Sequence, residues 1–449
     1  MFRRILVANR GEVAARVLRT CRRMGVECVA VASVADRELS WLEEADEVVV
    51  IGPARSSRSY LDQDAVLEAA RRTRSAAIHP GWGFLAENAV FAARVAAAGL
   101  TWIGPPPHVI RKLGDKVAAR RAMSGLGVPV IPGSDGALET LEEARAVAES
   151  IGYPVLLKAV AGGGGRGMRR VYSADEIESA WQQARGEARA AFGDPTMYLE
   201  KLIEGGRHIE FQVMVDTFGH GLHFGERECS VQRRHQKLLE ETPSVVVSPE
   251  LRDEMGARVA GALSELGYQG AGTVEMLRDA DGALYFLEVN TRLQVEHPIT
   301  EMTWGVDLVE LQLRVAAGQR LTLDQGELGP TGHAIEMRIN AEDPDAGFRP
   351  CPGRVTRLVL PEMDGVRVET HLREGDAISP HYDSMVCKLV VHADTRADAI
   401  ARSAAALDAL TFEGVTTTAG LHARVLTEPA FQSGDYDTTT LENWLSAET

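Results

Sequence analysis

Five polar side chains alternate with mostly apolar ones along the stretch from residue 288 to residue 296. The polar positions hold Glu288, Asn290, Arg292, Gln294 and Glu296. Because successive side chains of an extended chain point to opposite faces, an extended backbone collects these groups on one face and buries the other. A solvated strand face is the alternative, but such faces usually carry Lys, Thr or Ser. The row instead predicts a polar site for metals, anions and protons, and His297-Pro298 should end its extended geometry.

The length and charge of the chain limit the classes of protein it can belong to. Its 449 residues are too many for one ordinary core, so we expect roughly two to four domains. A hydrophobic content of 45% with 25% charged residues is typical of soluble globular proteins, and no apolar run approaches the length of a membrane span. The net charge of −16 argues against bulk nucleic-acid binding but permits a local basic pocket for a phosphate ligand.

The cysteines and the N-terminal segment indicate in which cellular compartment the protein is expected. None of the five cysteines forms a close pair with metal-ligand spacing. The chain begins directly with a strand-like segment, Ile5 to Ala8, and no signal peptide is evident. Reduced thiols in a cytoplasm are therefore expected.

The N-terminal part alternates short apolar runs with helical patterns. Strand-like runs cover residues 5–8, 29–32, 47–51 and 76–79, and helical stretches cover residues 63–72 and 91–98. This alternation is typical of a parallel sheet in an α/β domain. The Gly-x-Gly-x-x-Gly fingerprint is absent, so a dinucleotide-binding fold is not predicted. Three consecutive prolines, Pro105 to Pro107, mark a boundary after this part.

A dense glycine run, Gly162 to Gly167 with Arg166 inside it, separates two strand-like segments at residues 155–159 and 168–171. Glycines let backbone N–H groups approach phosphate oxygens, and Lys158 before the run can neutralise a phosphate. The run is not a P-loop, because no Gly-Lys-Ser/Thr closes it. A flexible linker is the alternative, but linkers rarely lie inside a hairpin. The run predicts the phosphate-binding loop of a small lid.

Three further segments carry chemistry that is less specific by itself. The backbone at Glu200-Lys201 can read an adenine edge, although a surface pair is the alternative. The stretch from Cys229 to Lys237 concentrates charged and polar groups that would be expensive to bury without an anion, with a solvated basic loop as the alternative. Glu275 and Glu288 flank a turn at residues 279–282, and a hairpin there would pair two carboxylates suited to Mg²⁺.

The stretch Glu288–Pro298 closely resembles the signature of the biotin carboxylase family, which belongs to the ATP-grasp superfamily. Other stretches agree in order along essentially the whole chain. They are Asn9–Glu12, His79–Phe84, the glycine run, Gln232–Lys237 and Glu336–Pro344. The resemblance implies a multidomain fold of the α/β and α+β classes. Its parts are an N-terminal parallel α/β domain (residues 1–113), an ATP-grasp domain (114–330) with a mobile lid at about 131–203, and a C-terminal biotin carboxylase domain (331–446).

The resemblance also implies a reaction, the carboxylation of biotin on a carrier protein from ATP and bicarbonate through carboxyphosphate. In that reaction Glu296 is expected to remove the bicarbonate proton and Arg292 to hold the planar anion. Arg338 is expected to stabilise enolate-like biotin, and Lys237 is the fourth expected catalytic residue. About two Mg²⁺ or Mn²⁺ ions are expected to offset the charge of the transferred phosphoryl group.

The family's binding positions match particular residues of this chain. ATP contacts are implied for Lys116, Lys158, Gly163, Gly164, Gly165, Met168, Glu200, Lys201, Ile203, His208, Gln232, His235, Glu275, Leu277 and Glu288. Bicarbonate contacts are implied for Lys237, Arg292, Gln294, Val295 and Glu296, and metal ligation for Glu275, Glu288 and Asn290. Biotin contacts are implied for Trp82, Gly83 and Arg338, with Trp82 standing where the family usually has Tyr.

Two absences in the sequence bear on the expected partners. No Met-Lys-Met motif occurs, and the chain ends without room for a carboxyltransferase. The resemblance therefore implies a stand-alone subunit that works with a biotin carboxyl carrier protein and carboxyltransferase subunits, as in bacterial acetyl-CoA carboxylase. It also implies a homodimer, with neither nucleic acid nor a membrane as partner.

Three alternatives stay open. One is another ATP-grasp ligase that joins a carboxylate to an amine, and another is a non-catalytic nucleotide-sensing module. The ligase would lack the set formed by Arg292, Gln294, Glu296 and Arg338, and a sensing module could lose Glu296 or a metal carboxylate. The third is a subunit of a different acyl-CoA carboxylase, which performs the same half-reaction.

Overall fold

Three sheets of different construction organise the molecule, which is known here from a computed structural model describing residues 1–160 and 167–447. One sheet is parallel with five strands, one is antiparallel with eight, and one is antiparallel with three. The expected multidomain α/β and α+β fold is confirmed. Gly163, Gly164 and Gly165, which are expected to bind phosphate, lie outside the described residues. Within those residues, no helix combines the length and apolarity needed to cross a membrane.

The N-terminal part contains the predicted parallel sheet. Its strands are β1 (Arg4–Val7), β2 (Glu27–Ser33), β3 (Glu47–Gly52), β4 (Ala77–His79) and β5 (Thr101–Trp102), in the order β3-β2-β1-β4-β5. Its helices are α1 (Gly11–Arg23), α2 (Gln63–Arg72), α3 (Ala89–Ala97) and α4 (Pro107–Gly114). The central strand β1 is apolar on both faces because helices cover both sides of a parallel sheet, and Ile5 and Leu6 are fully buried. Asp62 and Asn88 accept hydrogen bonds from the first turns of α2 and α3, which fixes where these helices begin.

A small unit with its own core follows the helix α5 (Lys116–Gly125). It contains α6 (Leu141–Ile151), β6 (Val155–Ala159), β7 (Met168–Val171), α7 (Ile177–Phe192) and β8 (Met197–Lys201), with strand order β7-β6-β8. Thr140 and Glu143 form a capping box at the start of α6. The buried side chains of Leu157, Leu199 and Trp181 pack between this sheet and its helices. The unit therefore lies where the sequence predicts a lid.

The largest sheet has eight strands and joins two regions of the chain. Its first members are β9 (Arg207–Val215), β10 (Gly221–Arg233), β11 (Gln236–Thr242), β12 (Gly270–Arg278), β13 (Leu284–Asn290) and β14 (His333–Asn340). The strands that follow along the chain are β15 (Glu342–Asp343), β16 (Arg349–Pro350), β17 (Gly353–Arg354), β18 (Arg357–Val359), β19 (Val366–Thr370), β20 (Ala377–Ile378), β21 (Met385–Ala393) and β22 (Thr411–Glu413). Of these, only β19 and β21 belong to the eight-stranded sheet, and the others form short two-stranded pairs. The strand order of the large sheet is β13-β12-β9-β10-β11-β14-β21-β19. The remaining helices are α8 (Pro249–Glu265), α9 (His297–Trp304), α10 (Leu308–Ala316), α11 (Arg396–Ala409), α12 (Ala419–Thr427), α13 (Pro429–Ser433) and α14 (Thr440–Ala447).

Only the first part of the alternating polar row, up to Asn290, belongs to a strand. Strand β13 ends at Asn290, and residues 291–296 belong to neither strand nor helix. The expectation that extended geometry ends by His297-Pro298 is confirmed, because α9 begins there with Pro298 in its first turn, where a missing N–H is tolerated. Glu87 helps to turn the chain, since its carboxylate accepts from the backbone N–H of Thr291 at 3.0 Å.

The stretch from Cys229 to Lys237 is a tight hairpin, and its exposed part is confined to the tip, residues 234–236. Gln232 pairs with Lys237, and Arg233 pairs with Gln236, so only Arg234 and His235 form the turn. Both turn residues have positive φ angles, +49° and +65°, as a type I′ turn requires. The hairpin carries Lys237 to the beginning of β11.

A contact between Gly225 and Trp304 fastens β10 to α9, the helix that follows the polar row. A Cβ atom at Gly225 (φ +63°) would lie 2.7 Å from Cζ2 of Trp304, whereas Gly305 has φ +66° and open space around it. Gly305→Ala should cost about 1–2 kcal/mol for left-handed backbone alone. Gly225→Ala should cost about 1–3 kcal/mol more, because the indole must move. Thermal denaturation of both variants checks this, and equal melting temperatures would contradict it.

Candidate active site

Three acidic side chains meet at the single ammonium group of Lys237. Its Nζ, at the start of β11, donates to Glu210 Oε2 on β9 at 2.5 Å and to Glu275 Oε1 on β12 at 2.8 Å. It also donates to Glu296 Oε1, just before α9, at 2.7 Å. Glu210 and Glu296 have no exposed surface, and Glu275 is 8% exposed. Charges buried to this extent are tolerated because each is paired.

The protonation states in this cluster follow from its pairing. Burial alone would raise the pKa of Glu296, but the positive charges of Lys237, Arg338 and Arg227 outweigh it and hold that pKa well below its usual range. Burial would lower the pKa of Lys237, but the three carboxylates hold it well above its usual range. Glu296 is therefore an ionised carboxylate and Lys237 a full ammonium at neutral pH.

Arg338 provides the second cation at Glu296. From β14, its Nη2 donates to Glu296 Oε2 at 2.9 Å and its Nε to Glu240 Oε1 at 2.6 Å. Burial raises the pKa of Glu240 to about 7, although the charge of Arg338 opposes that rise. The guanidinium of Arg338 thus binds two carboxylates, that of Glu296, which is ionised at neutral pH, and that of Glu240, whose pKa is about 7.

Arg227 supports the cluster from inside the sheet. It is fully buried on β10, and its Nε donates to Glu210 Oε1 at 2.6 Å. Its remaining donors reach Gln212 Oε1 at 2.8 Å, Thr300 Oγ1 at 2.9 Å and Thr273 Oγ1 at 3.2 Å. Glu210 is thereby held between Arg227 and Lys237, which fixes one wall of the site.

The polar row converges on the same place, although it is not one strand face. Arg292 donates to Asn290 Oδ1 at 3.0 Å and to Gln294 Oε1 at 3.1 Å. Gln294 in turn donates to Glu275 Oε1 at 3.1 Å. Arg292 Nε donates to Glu87 Oε2 at 2.9 Å, an acid outside the row. The guanidinium expected to hold bicarbonate is therefore already oriented by three side chains.

Val295, the remaining residue expected near bicarbonate, has a buried side chain. It is 8% exposed, and its backbone carbonyl accepts from Lys388 Nζ at 2.8 Å. Any contact of Val295 with an anion must therefore be made by its backbone N–H.

The two carboxylates expected to bind metal pair directly across the β12–β13 hairpin. Glu275 lies opposite Glu288, and the turn closes with Gly282 N donating to Asp279 O at 3.2 Å. Burial raises the pKa of Glu288, and the charge of Glu275 raises it further. The oxygen of Asn290, the third expected ligand, already accepts from Arg292. The two acids thus face each other; Lys237 Nζ pairs with Glu275, and His208 Nε2 lies 3.2 Å from Glu275 Oε2.

A cavity of about 820 Å³ opens between the small lid-like unit and the large sheet. It is lined by eleven of the residues expected to contact ATP, namely Lys116, Lys158, Met168, Glu200, Ile203, His208, Gln232, His235, Glu275, Leu277 and Glu288. Its charged lining includes the cations Lys116 and Lys158 and the acids Glu275 and Glu288. This volume and this polarity suit a nucleotide with its phosphates.

The Glu200-Lys201 pair is not a surface pair. Glu200 is 7% exposed, and it accepts from Lys158 Nζ at 2.5 Å and from Arg120 Nη1 at 3.2 Å. Lys201 does not line the cavity, because its Nζ donates to the carbonyls of Gly152 and Tyr153 at 3.0 and 2.9 Å. The two neighbours therefore have different roles.

The residues expected to bind biotin are divided between two places. Trp82 and Gly83 line a cavity of about 240 Å³, mostly apolar, with Phe84, His371, Tyr382 and Met385. Arg338 is not part of that lining and lies instead at Glu296. The carbonyl of Trp82 accepts from Asn9 Nδ2 at 2.7 Å, which ties this cavity to the first strand-to-helix turn.

Several residues of the cluster escaped the sequence reasoning. They are Glu87, Glu210, Arg227, Glu240 and Lys388. One signal was available for Glu210, because it is a charged residue within the mostly apolar run of residues 209–215, and buried strands carry such residues only when they are paired. Arg227 lies between Glu226 and Glu228 and offers no such contrast. Glu87 offers no comparable signal, since it lies in a turn before α3 and not inside a strand.

The comparisons with known proteins agree along the whole chain. Residues 1–110 match the family model for the biotin carboxylase N-terminal domain, and residues 336–443 match that for its C-terminal domain. Residues 115–324 match the ATP-binding domain of the carbamoyl-phosphate synthase L chain.

Individual relatives are similar over nearly their full length. The biotin carboxylase of Nostoc sp. is 49% identical over 437 residues, covering 97% of this chain and 98% of the relative. That of Pseudomonas aeruginosa is 48% identical over 446 residues, covering 99% of each.

Two solved structures have the same fold at high similarity. The biotin carboxylase of Campylobacter jejuni in complex with β-γ-ATP has a TM-score of 0.94 and 46% identity, covering 99% of each chain. The biotin carboxylase domain dimer of the Hydrogenobacter thermophilus 2-oxoglutarate carboxylase, with MgADP, ADP and bicarbonate, has a TM-score of 0.92 and 45% identity, covering 99% of this chain and 98% of that one.

The charge balance at Lys237 predicts a pH-dependent defect in Lys237→Gln. In the parent, Glu275 and Glu296 have lowered pKa values, so their stabilising effect is present above their ordinary value of 4.5. Without the ammonium, burial should raise these pKa values. The contribution of Glu275 and Glu296 to stability would then be complete below about pH 4.5 and would be lost as the pH rises through their raised pKa values. The melting-temperature deficit should therefore grow between about pH 5 and pH 8.

The matched control for Lys237→Gln is Arg258→Gln, which removes a cation from the exposed pair with Glu254. The melting temperature of this variant should differ little from the parent at every pH. A Lys237→Gln deficit that is constant across the pH range would contradict the charge argument.

Proposed function

The chain belongs to the biotin carboxylase family and is an ATP-dependent ligase, and we propose that it carboxylates biotin on a separate carrier protein. ATP and bicarbonate are the co-substrates. The reaction is the first half of the reaction of acetyl-CoA carboxylase or of a related acyl-CoA carboxylase. What supports this most is the position of Glu296, an ionised carboxylate held between Lys237 and Arg338 beside the metal-suited acids.

The first chemical step is the activation of bicarbonate. Glu296 accepts the bicarbonate proton, and the resulting carbonate oxygen attacks the γ-phosphorus of ATP, forming carboxyphosphate and releasing ADP. Arg292 is the residue to hold the planar anion, exchanging its contacts with Gln294 and Asn290 for two parallel hydrogen bonds. Its contact with Glu87 can remain and keep the guanidinium plane fixed.

The second step transfers the carboxyl group. Carboxyphosphate breaks into CO₂ and phosphate, the phosphate takes the proton from the biotin ureido nitrogen, and that nitrogen attacks CO₂. Negative charge develops on the ureido oxygen, and Arg338 is placed to stabilise it. Its neighbour Glu240 has a pKa of about 7 and can therefore change its protonation state without a large energetic cost.

The Glu275–Glu288 pair fits a divalent cation, because the like charges face each other without full compensation. These two carboxylates would hold Mg²⁺ or Mn²⁺, with Asn290 joining them if its oxygen is released from Arg292. The bound ion supplies neutralisation of the nucleotide phosphates. Lys116 and Lys158 line the same cavity and orient those phosphates.

The small unit around β6 and β7 is the proposed lid. It contributes Lys158 and Met168 to the nucleotide cavity, and its glycine run is the proposed phosphate loop. Closure over the nucleotide would exclude water, which matters because carboxyphosphate hydrolyses readily.

The proposed partners follow from the chemistry and from the relatives. Biotin arrives on a carrier protein, and its ring occupies the space between Arg338 and the cavity lined by Trp82 and Gly83. Carboxyltransferase subunits then use the carboxybiotin. We propose a homodimer in the cytoplasm, since a related biotin carboxylase domain forms a dimer and the five cysteines are free thiols.

An omission assay tests the proposed reaction. ATP cleavage is measured with Mg²⁺, bicarbonate and free biotin, each omitted in turn. Cleavage should require bicarbonate and should rise when biotin is added, because phosphoryl transfer needs the anion as acceptor. Equal cleavage without bicarbonate would rule out the carboxylase, and dependence on an amine would indicate the alternative ligase.

Replacing the base separates chemistry from nucleotide binding. Glu296→Ala should lower kcat for bicarbonate-dependent ATP cleavage by about 100-fold to 10,000-fold, the usual contribution of a general base. The ATP Kd, measured by calorimetry, should stay close to that of the parent. Glu254→Ala, at an exposed helical position, is the control and should keep full activity. Loss of ATP binding in Glu296→Ala would assign Glu296 to the metal site instead.

A further inference from the structure

The segment that carries the base, residues 291–296, lies outside strand and helix, and side chains contact two of its carbonyls. His297 Nδ1 lies 2.8 Å from the carbonyl oxygen of Gln294, and Lys388 Nζ donates to the carbonyl oxygen of Val295 at 2.8 Å. A carbonyl oxygen only accepts, so Nδ1 of His297 carries the hydrogen. Burial and the charges of Lys388 and Arg16 hold the pKa of His297 well below its usual range, so the ring is neutral.

Lys388 is a fully buried lysine that none of the catalytic steps uses. Its side chain has no exposed surface, and its Nζ lies 2.8 Å from Glu12 Oε1, an equally buried carboxylate on α1. The ammonium and the carboxylate thus form a buried ion pair. Burial raises the pKa of Glu12, and the charge of Lys388 counteracts that rise.

The position of Lys388 in the sheet explains its reach. On β21 it lies directly opposite Arg338 of β14, and residues opposed in this way project from the same face of a sheet. That face carries Glu296, which Arg338 binds. Lys388 therefore stands beneath the peptide that joins Val295 to Glu296, while Arg338 contacts the carboxylate of Glu296.

We propose that Lys388 is a positioning residue for bicarbonate activation. Its ammonium fixes the plane of the Val295–Glu296 peptide and so holds the Glu296 carboxylate within reach of Lys237 and Arg338. Glu12 neutralises and orients the ammonium from the N-terminal helix. The base is thus aligned by both ends of the chain, α1 near the start and β21 near the end.

A purely structural ion pair would behave differently from a positioning residue. Buried ion pairs can often be replaced as a whole by uncharged side chains without loss of stability, whereas removing one partner is destabilising. Removing both charges restores charge balance but leaves the Val295 carbonyl without its donor. Stability and catalysis should therefore separate in the double variant.

The test compares Lys388→Met, Glu12→Gln and the double variant Glu12→Gln/Lys388→Met in the full-length protein. The double variant should melt at a higher temperature than Lys388→Met and should bind ATP with the parent Kd. Its kcat/KM for bicarbonate in ATP cleavage should nevertheless fall by about tenfold to 100-fold, the value of one charged hydrogen bond. Glu12→Gln alone should lose less than the double variant, since Lys388 still reaches Val295.

A matched control removes another buried pair that joins the same sheet to a helix, Arg252→Met/Glu226→Gln, whose atoms lie 2.7 Å apart. This control should keep kcat/KM for bicarbonate near that of the parent. The inference is overturned if the double variant regains parental kcat/KM, if Glu12→Gln alone loses as much, or if the control loses as much. The inference rests on the proposed carboxylase function, and a parent protein without bicarbonate-dependent ATP cleavage would refute that function instead.

Discussion

One ammonium group, that of Lys237, holds three carboxylates that would otherwise repel one another. Two unit charges 4 Å apart interact by roughly 4 kcal/mol at an effective dielectric constant of 20, so a buried group of acids cannot form without close cations. Lys237 contacts Glu210, Glu275 and Glu296, and the surrounding arginines compensate the charge that remains. The rest of the site depends on this balance, because it permits ionised acids to stay close together away from water.

The sheet order explains how such distant residues meet. Strands β12 and β9 are neighbours and supply two acids, while β11 lies beyond β10 and supplies the lysine. Only a long side chain at the start of β11 reaches both, and the two-residue turn before it sets that starting point. The next strand, β14, adds Arg338 from the other side. The expected metal pair and the two cations that hold the base therefore lie on strands of one sheet.

Local patterns in the sequence predicted local structure well. The limits of α2 and β6 follow from apolar periodicity, and the facing of Glu275 and Glu288 follows from the turn residues between them. The contacts of Glu87 and Lys388 were not predictable in this way, because they join residues 205 and 93 positions apart through tertiary packing. The polar row shows both outcomes. Its chemistry could be inferred from residue types, but its shape depends on Glu87, which binds the segment just after β13 ends.

The hydrogen bonds between β11 and β14 join two regions that match different family models. Glu240 lies opposite Glu336 in this pairing, so the seam runs directly behind the base. The C-terminal region cannot be replaced independently, because any replacement must pair with β11 in the same register. An insertion of one residue in β14 ahead of Arg338 would turn Arg338 to the opposite face and would exchange the buried and polar faces of the strand around it. The two regions are thus structurally inseparable, as halves of one sheet.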